Sequence, residues 1–259
     1  MALVQKSAEG SVGTITLNHP EKHNALSAAL ISDLLEALAG LAGSGARVIV
    51  LRAPRGAKVW SAGHDVRELP TNGRDPLTYH DPLRQAVRAI KEASTPVVAM
   101  VEGSVWGGAC ELVMSCDIVV AAEGATFAIT PAKLGVPYDI AGVLNFMLSV
   151  GLPIIKEMLF TAQPMPAGRA LQVGIVNQVV PAGRLEAATA ELAAQMIRNS
   201  PLVIGLLKEQ LHVLAGAIPL TPEAFQRIQA LRRRIYDSAD YQEGIRSFFE
   251  RRAPQFQGH

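Results

Sequence analysis

Hydrophobic and polar positions follow two rhythms along this chain. Ser11 to Leu17 alternates, with Val12, Ile15 and Leu17 set among small polar residues, which predicts a half-buried strand. Arg47 to Leu51, Pro96 to Val101 and Ile118 to Ala121 are near-continuous apolar runs. Such runs suit strands covered on both faces. Between them lie helical patterns. Ser27 is placed to cap a helix whose Leu30, Leu34, Leu38 and Leu41 form one stripe, because a serine oxygen accepts from the free amides of the first turn. Pro82 to Ala93 is a second amphipathic segment, and Leu112 to Ser115 an apolar helical one. Strands alternating with helices predict an α/β chain with parallel pairing.

The rhythm changes after about Gly142. Segments near Pro153–Thr161, Pro166–Val173, Leu185–Arg198, Pro201–Ala215, Pro222–Asp237 and Asp240–Arg252 all read as helices, interrupted by one short strand at Asn177–Val180. The expected organisation is a core over residues 1–195 and a helical appendage over 196–259. No repeat, low-complexity stretch or Pro/Gly linker divides the chain.

Composition narrows the function classes. The chain has 259 residues, of which 49% are hydrophobic and 18% charged, enough to bury one large core. A net charge of +1 gives no basic excess for a nucleic-acid backbone, so no nucleic-acid partner is expected. The most apolar stretch, Leu112 to Ala122, contains Asp117 and is too short to span a bilayer. Met1 to Gly10 carries Lys6 and Glu9 without an apolar run, unlike a signal peptide. A cytoplasmic, membrane-free protein is expected. Cys110 and Cys116 read as two small buried hydrophobes on one helix, roughly 9 Å apart along its axis and unable to bridge.

Three segments carry candidate chemistry. Ser61-Ala62-Gly63-His64-Asp65 follows a predicted strand, and its small residues let a backbone approach a ligand closely. Glu102 to Glu111 places Gly107 and Gly108 where a helix begins; free N–H groups at the positive end of a helix dipole favour an anion. Thr130 to Tyr138 holds two prolines and a glycine and ends on a tyrosine. Each segment alone also reads as an ordinary loop. The six histidines show no metal-ligand spacing, and no Gly-x-Ser-x-Gly elbow or Cys-x-x-Cys occurs.

Taken together, Pro20 to Leu26, Ser61 to Asp65, Gly103 to Glu111, Asp117 to Ala121, Phe127 to Gly135 and Ala170 to Val180 resemble the enoyl-CoA hydratase/isomerase (crotonase) superfamily. The resemblance implies a crotonase-like ββα superhelical spiral with a C-terminal helical region, an acyl-CoA substrate, and a homotrimer or dimer of trimers. It implies no separate cofactor, coenzyme A being part of the substrate. Narrower signals resemble the branch that decarboxylates malonyl-type thioesters. They are Trp60 to Asp65, Glu68 to Pro70, Gly73 to Leu77, Asp81 to Gln85, Val101 to Gly108, Leu134 to Tyr138, and Tyr236 through Gly258-His259.

That resemblance assigns roles residue by residue. The backbone N–H groups of His64 and Gly108 match the two oxyanion donors. Tyr138 matches the tyrosine facing the departing carboxylate, and Glu111 the first of two hydratase glutamates. The second falls at Ala132, which offers no acid or base, so simple hydration is disfavoured. Ala62, Gly63, Asp65 and Val66 match the loop beside adenine and pantetheine. His23, Ala25 and Thr130 lie along the ligand, and Arg251 is placed to meet a phosphate; Lys22, Arg55 and Lys58 are weaker phosphate candidates. Isomerisation, retro-aldol cleavage or hydrolysis of a thioester are the rival reactions, and a non-catalytic acyl-CoA-binding protein the rival class.

Overall fold

In the computed structural model, which describes residues 2–69, 79–215 and 221–257, the expected spiral and helical tail are both present. The motif residues Pro70, Gly73 to Leu77, Gly258 and His259 lie outside the described residues. The chain opens with a hairpin, β1 (Val4–Glu9) and β2 (Val12–Leu17), then α1 (Ala28–Gly43), β3 (Val48–Arg52) and β4 (Val59–Ser61). Next come α2 (Pro82–Glu92), β5 (Val97–Val101), β6 (Ser104–Trp106), α3 (Gly108–Met114), β7 (Ile118–Ala122) and β8 (Thr126–Ala128). They are followed by α4 (Ile140–Ser149), α5 (Leu152–Thr161), β9 (Met165–Pro166), α6 (Ala167–Gln172) and β10 (Gln178–Val180). The tail is α7 (Leu185–Ile197), α8 (Pro201–Ala215), α9 (Pro222–Tyr236) and α10 (Ala239–Glu250).

The strands form two sheets. One has the order β1-β2-β3-β5-β7-β10, antiparallel only at the β1–β2 hairpin. The other has the order β4-β6-β8-β9, parallel except for β8–β9. Each turn of the spiral adds one strand to each sheet and returns through a helix. The apolar runs were read correctly as doubly buried strands. Ile49, Leu51, Val97, Ala99, Val101, Val119 and Ala121 point into one core with α1, α2 and α3. The alternate residues Val48, Val50, Val98, Met100, Val120 and Ala122 point into another, with Leu185 and Ala193 of α7. A period of two with both faces covered leaves no polar alternation in the sequence.

Ser27 caps α1 as expected, its Oγ accepting from the Leu30 amide at 3.3 Å. Several features differ from the sequence reading. β1 goes unannounced because only Val4 of its six residues is buried. β4, β6 and β8 span three residues each, too few to show a period. Cys116 lies beyond the end of α3 rather than on one helix with Cys110, although both thiols are free and buried. Burial pushes Cys110 up to about 12. The division expected at residue 195 falls inside α7.

One buried cation ties the tail to the core. Lys208 of α8 donates to the carbonyl oxygens of Ile90 at 2.8 Å and Thr95 at 3.4 Å, and to Asp117 Oδ2 at 2.7 Å. The same Asp117 oxygen accepts from the Val97 amide at 2.7 Å. Lys208→Met removes the shared donor and strands two carbonyls. We expect a loss of about 1–3 kcal/mol, read as a fall of several degrees in Tm; an unchanged Tm would show that α8 is held by other contacts.

Candidate active site

The site is built where two loops meet backbone to backbone. Gly63 follows β4, and Gly107–Gly108 follow β6, its neighbour in the sheet. Gly63 has φ +82°, and a Cβ there would sit 2.4 Å from the Trp106 carbonyl oxygen and 3.1 Å from the Gly108 nitrogen. Only glycine allows both the left-handed conformation and that approach. A Cβ at Gly108 would lie 3.6 Å from the His64 nitrogen, so the two amide nitrogens occupy one patch. Gly108 is the first residue of α3, where a helix has no internal acceptor for its N–H. Among the described residues no acceptor takes the N–H of His64 or of Gly108.

Both residues line a cavity of about 740 Å³, a size suited to a small-molecule ligand. His23, Ala25, Ala62, Asp65, Val66, Thr130, Tyr138 and Arg251 line it too. Gly63 does not face the cavity; it brings the two loops together beneath it. Arg55 and Lys58 are not part of the lining, whereas Lys22, Arg67 and Lys133 are. Arg67 is committed to Asp65, donating to its two oxygens at 2.9 Å. Burial raises the Asp65 carboxyl, but the hydrogen bonds from Arg67 outweigh it and hold the group below its usual range.

The loop entering the cavity is held in an uncommon backbone shape. His23 and Asn24 both have φ near +50°, a region few non-glycine residues adopt. Buried Asn24 holds it there: its side chain accepts from the His19 amide and donates to the Trp60 carbonyl, each at 2.9 Å. Ser61 Oγ donates to the Asn24 carbonyl at 2.7 Å. The far wall comes from α10. A Cβ at Gly244 would sit 2.1 Å from the Leu134 carbonyl oxygen, so α10 packs directly on the short turn Pro131–Leu134. This brings Phe248, Phe249 and Arg251 to the cavity.

Behind the cavity lies a buried ionic cluster that the sequence did not reveal. Glu111 has no exposed surface and does not face the cavity. Both its oxygens accept from the guanidinium of buried Arg84, and Oε2 also accepts from the Tyr138 hydroxyl at 2.9 Å. Arg84 Nε stands 3.4 Å from Asp139 Oδ2, and Asp139 caps α4 through the Gly142 amide at 2.8 Å. Burial pushes the Glu111 carboxyl up, and the Arg84 donors pull against it. Burial disfavours the charge on Arg84, but Glu111 more than reverses this and the guanidinium stays charged. Burial, then the Glu111 charge, push the Tyr138 hydroxyl well up, so it is a neutral donor at physiological pH. Nearby, burial raises the Asp81 carboxyl, with the His64 imidazole its largest counterweight. Ala132 is exposed in the Pro131–Leu134 turn and supplies neither acid nor base.

Arg84 was missed because nothing in the sequence separates it from Arg88 and Lys91 on the same amphipathic helix, and its partner is 27 residues away. Among the described residues there is no metal-ligating cluster of three or more His, Cys, Asp or Glu. No described helix is long and apolar enough to cross a membrane.

Comparison with known proteins places this geometry. The family model described as enoyl-CoA hydratase/isomerase matches residues 7–259. The chain is 50% identical over 248 residues to methylmalonyl-CoA decarboxylase of Escherichia coli K12, covering 96% of this chain and 95% of that protein. Among solved structures, methylmalonyl-CoA decarboxylase in complex with 2-nitronate-propionyl-CoA superposes with a TM-score of 0.98 at 49% identity, covering 99% of each chain. The same enzyme complexed with 2S-carboxypropyl-CoA also gives 0.98 at 49% identity, over 99% of this chain and 98% of that one.

Gly63→Ala tests the loop contact. The added methyl must displace the Trp106 carbonyl at a left-handed position, which we expect to cost roughly 1–3 kcal/mol. Gly10→Ala, at φ +55° with open space around it, carries the backbone cost without the clash. Equal losses of Tm in the two variants would show that the loops tolerate separation.

Proposed function

Because the chain belongs to the enoyl-CoA hydratase/isomerase family, we propose that it decarboxylates methylmalonyl-CoA to propionyl-CoA through a thioester enolate. The relative at 50% identity is named for that activity, and the matching structures hold 2-nitronate-propionyl-CoA and 2S-carboxypropyl-CoA. The observation that carries the reading is the adjacency of the His64 and Gly108 amides in a cavity that Tyr138 also lines.

The chemistry follows from where charge develops. The bond between the α-carbon and its carboxylate breaks, its electron pair moves into the thioester, and carbon dioxide leaves. Negative charge then grows on the thioester oxygen. Two fixed N–H donors aimed at that oxygen hold it more strongly in the transition state than in the substrate, each worth about 3–4 kcal/mol in comparable sites. The thioester itself is the electron sink, so the reading calls for no separate cofactor. The breaking bond must stand perpendicular to the thioester plane, and Tyr138 holds that conformer by turning its hydroxyl proton from Glu111 to the substrate carboxylate. The α-carbon finally takes a proton, from water or from the tyrosine hydroxyl. Glu111, sealed behind Tyr138, supports the tyrosine and does not touch substrate.

Coenzyme A runs along the His23–Ala25 loop and the Ala62–Val66 loop, with Arg251 and Lys22 toward its phosphates. Arg251 caps α10 with φ +53°. Its neighbour Arg252 is clasped by Glu243, whose carboxyl that pairing lowers to about 2. A homotrimer or dimer of trimers fits the unpartnered apolar side chains of α8, including Leu202, Leu206, Leu211 and Leu214, and a cytoplasmic location fits an acyl-CoA substrate.

The experiment is a steady-state assay with methylmalonyl-CoA and, in parallel, crotonyl-CoA. We expect carbon dioxide and propionyl-CoA from the first and negligible hydration of the second; the reverse would establish a hydratase. Tyr138→Phe should lower kcat on the order of ten- to a hundredfold, the worth of about 1.5–3 kcal/mol for a hydrogen bond to a charged group. Unchanged turnover would remove the hydroxyl from the mechanism.

A further inference from the structure

The decarboxylation reading leaves Arg84 without a part. It lines a second cavity of about 610 Å³ on the far side of Glu111, together with Lys91 and Asp139, and takes no part in the first. The chain of contacts Arg84–Glu111–Tyr138 therefore crosses the wall between the two cavities. Tyr138 has one hydroxyl proton; without substrate it is directed at Glu111, and it must turn away to reach a substrate carboxylate.

We propose that Arg84 is a positioning residue for decarboxylation: by occupying both oxygens of Glu111, it leaves that carboxylate a weak resting acceptor from which Tyr138 can turn to the substrate, and cancels its charge where the substrate's carboxylate must sit. This rests on the decarboxylase reading. A substrate carboxylate beside Tyr138 lies one phenol away from Glu111. In a buried, low-dielectric wall, like charges so placed repel strongly. The bidentate guanidinium removes that repulsion, and its planar fork also fixes the direction of the carboxylate. The other charged groups bearing on Glu111 are Lys91 on α2 and Asp139 ahead of α4. Their opposite charges offset each other, which leaves Arg84 as the cation in direct contact.

Removing the guanidinium leaves a buried carboxyl with Tyr138 as its remaining hydrogen-bond donor. Such a group takes up a proton at higher pH than an ordinary glutamate. Its charged fraction grows as pH rises, and only the charged form repels an incoming carboxylate.

The test compares two probes: a CoA thioether bearing a carboxylate, which cannot lose carbon dioxide, and propionyl-CoA, which has no carboxylate. Kd for each is measured by calorimetry from roughly pH 5.5 to roughly pH 8.5 in wild type, Arg84→Met, Arg84→Lys and Arg84→Met/Glu111→Gln. The quantity read is the ratio of the two affinities, which cancels the shared CoA contacts. In wild type the ratio stays flat. In Arg84→Met it moves against the carboxylate ligand as pH rises, by on the order of tenfold. Adding Glu111→Gln restores a flat profile. Arg84→Lys, which keeps the charge but loses the fork, stays flat while kcat on methylmalonyl-CoA falls on the order of tenfold. A flat Arg84→Met profile, or one whose slope survives Glu111→Gln, overturns the proposal. Should Arg84→Met not fold, Glu111→Gln alone decides. With the guanidinium unopposed, the carboxylate ligand binds relatively tighter, and weaker or equal binding overturns the proposal. Wild-type enzyme that fails to turn over methylmalonyl-CoA defeats the functional reading, while the binding ratios still decide the role of Arg84.

Discussion

Two main-chain amides face one oxygen atom only if two loops touch without side chains between them, and the rest of this site depends on that contact. Gly63 makes it. Its missing Cβ lets the Trp106 carbonyl come to where a methyl would be, and the Gly108 amide comes with it. The sheets of the spiral set the loops side by side, because β4 and β6 are neighbours and both loops leave their C-terminal ends. Asn24 and Ser61 then lock the adjoining loop in a left-handed bend. In the decarboxylation proposed above, charge stabilisation is thus a property of backbone placement, and side chains act mainly by fixing that backbone.

The second layer is electrostatic. A glutamate with no exposed surface survives in an apolar wall because a guanidinium meets both its oxygens. Such pairs contribute little net stability, but losing one partner leaves a costly uncompensated charge. Here the pair gives the neutral Tyr138 hydroxyl a buried acceptor and keeps the Glu111 carboxyl away from the cavity. That arrangement separates enolate formation from hydration, which needs a free acid and base beside the substrate. Ala132, exposed and inert in its turn, completes the separation.

How much of this was legible in the sequence depended on range. The doubly buried strands β3, β5 and β7 announced themselves as apolar runs, and Ser27 and the leucine stripe of α1 as a capped amphipathic helix. Short or one-sided elements did not: β1 buries only Val4, and β4, β6 and β8 are three residues each. α4 was missed because Ile140–Ser149 is apolar around most of its circumference and shows no stripe. The loops carrying His64, Gly108 and Tyr138 were found through family resemblance, since each alone reads as an ordinary turn. Arg84 was invisible for a physical reason. Its burial is created by the packing of α2 against α3 and by Asp139 ahead of α4, and local pattern holds no trace of it. The docking of α10 through Gly244 onto the Leu134 carbonyl is likewise a long-range contact between two unremarkable segments.

The central claim is that the His64 and Gly108 amides are tuned to a negative thioester oxygen rather than to a neutral carbonyl. The most direct measurement compares the Kd of propionyl-CoA with that of its 2-nitronate analogue, whose negative charge is shared with the thioester oxygen. Amides tuned to the charged oxygen bind the nitronate tighter by on the order of a hundredfold or more. Equal affinity for the two would contradict it.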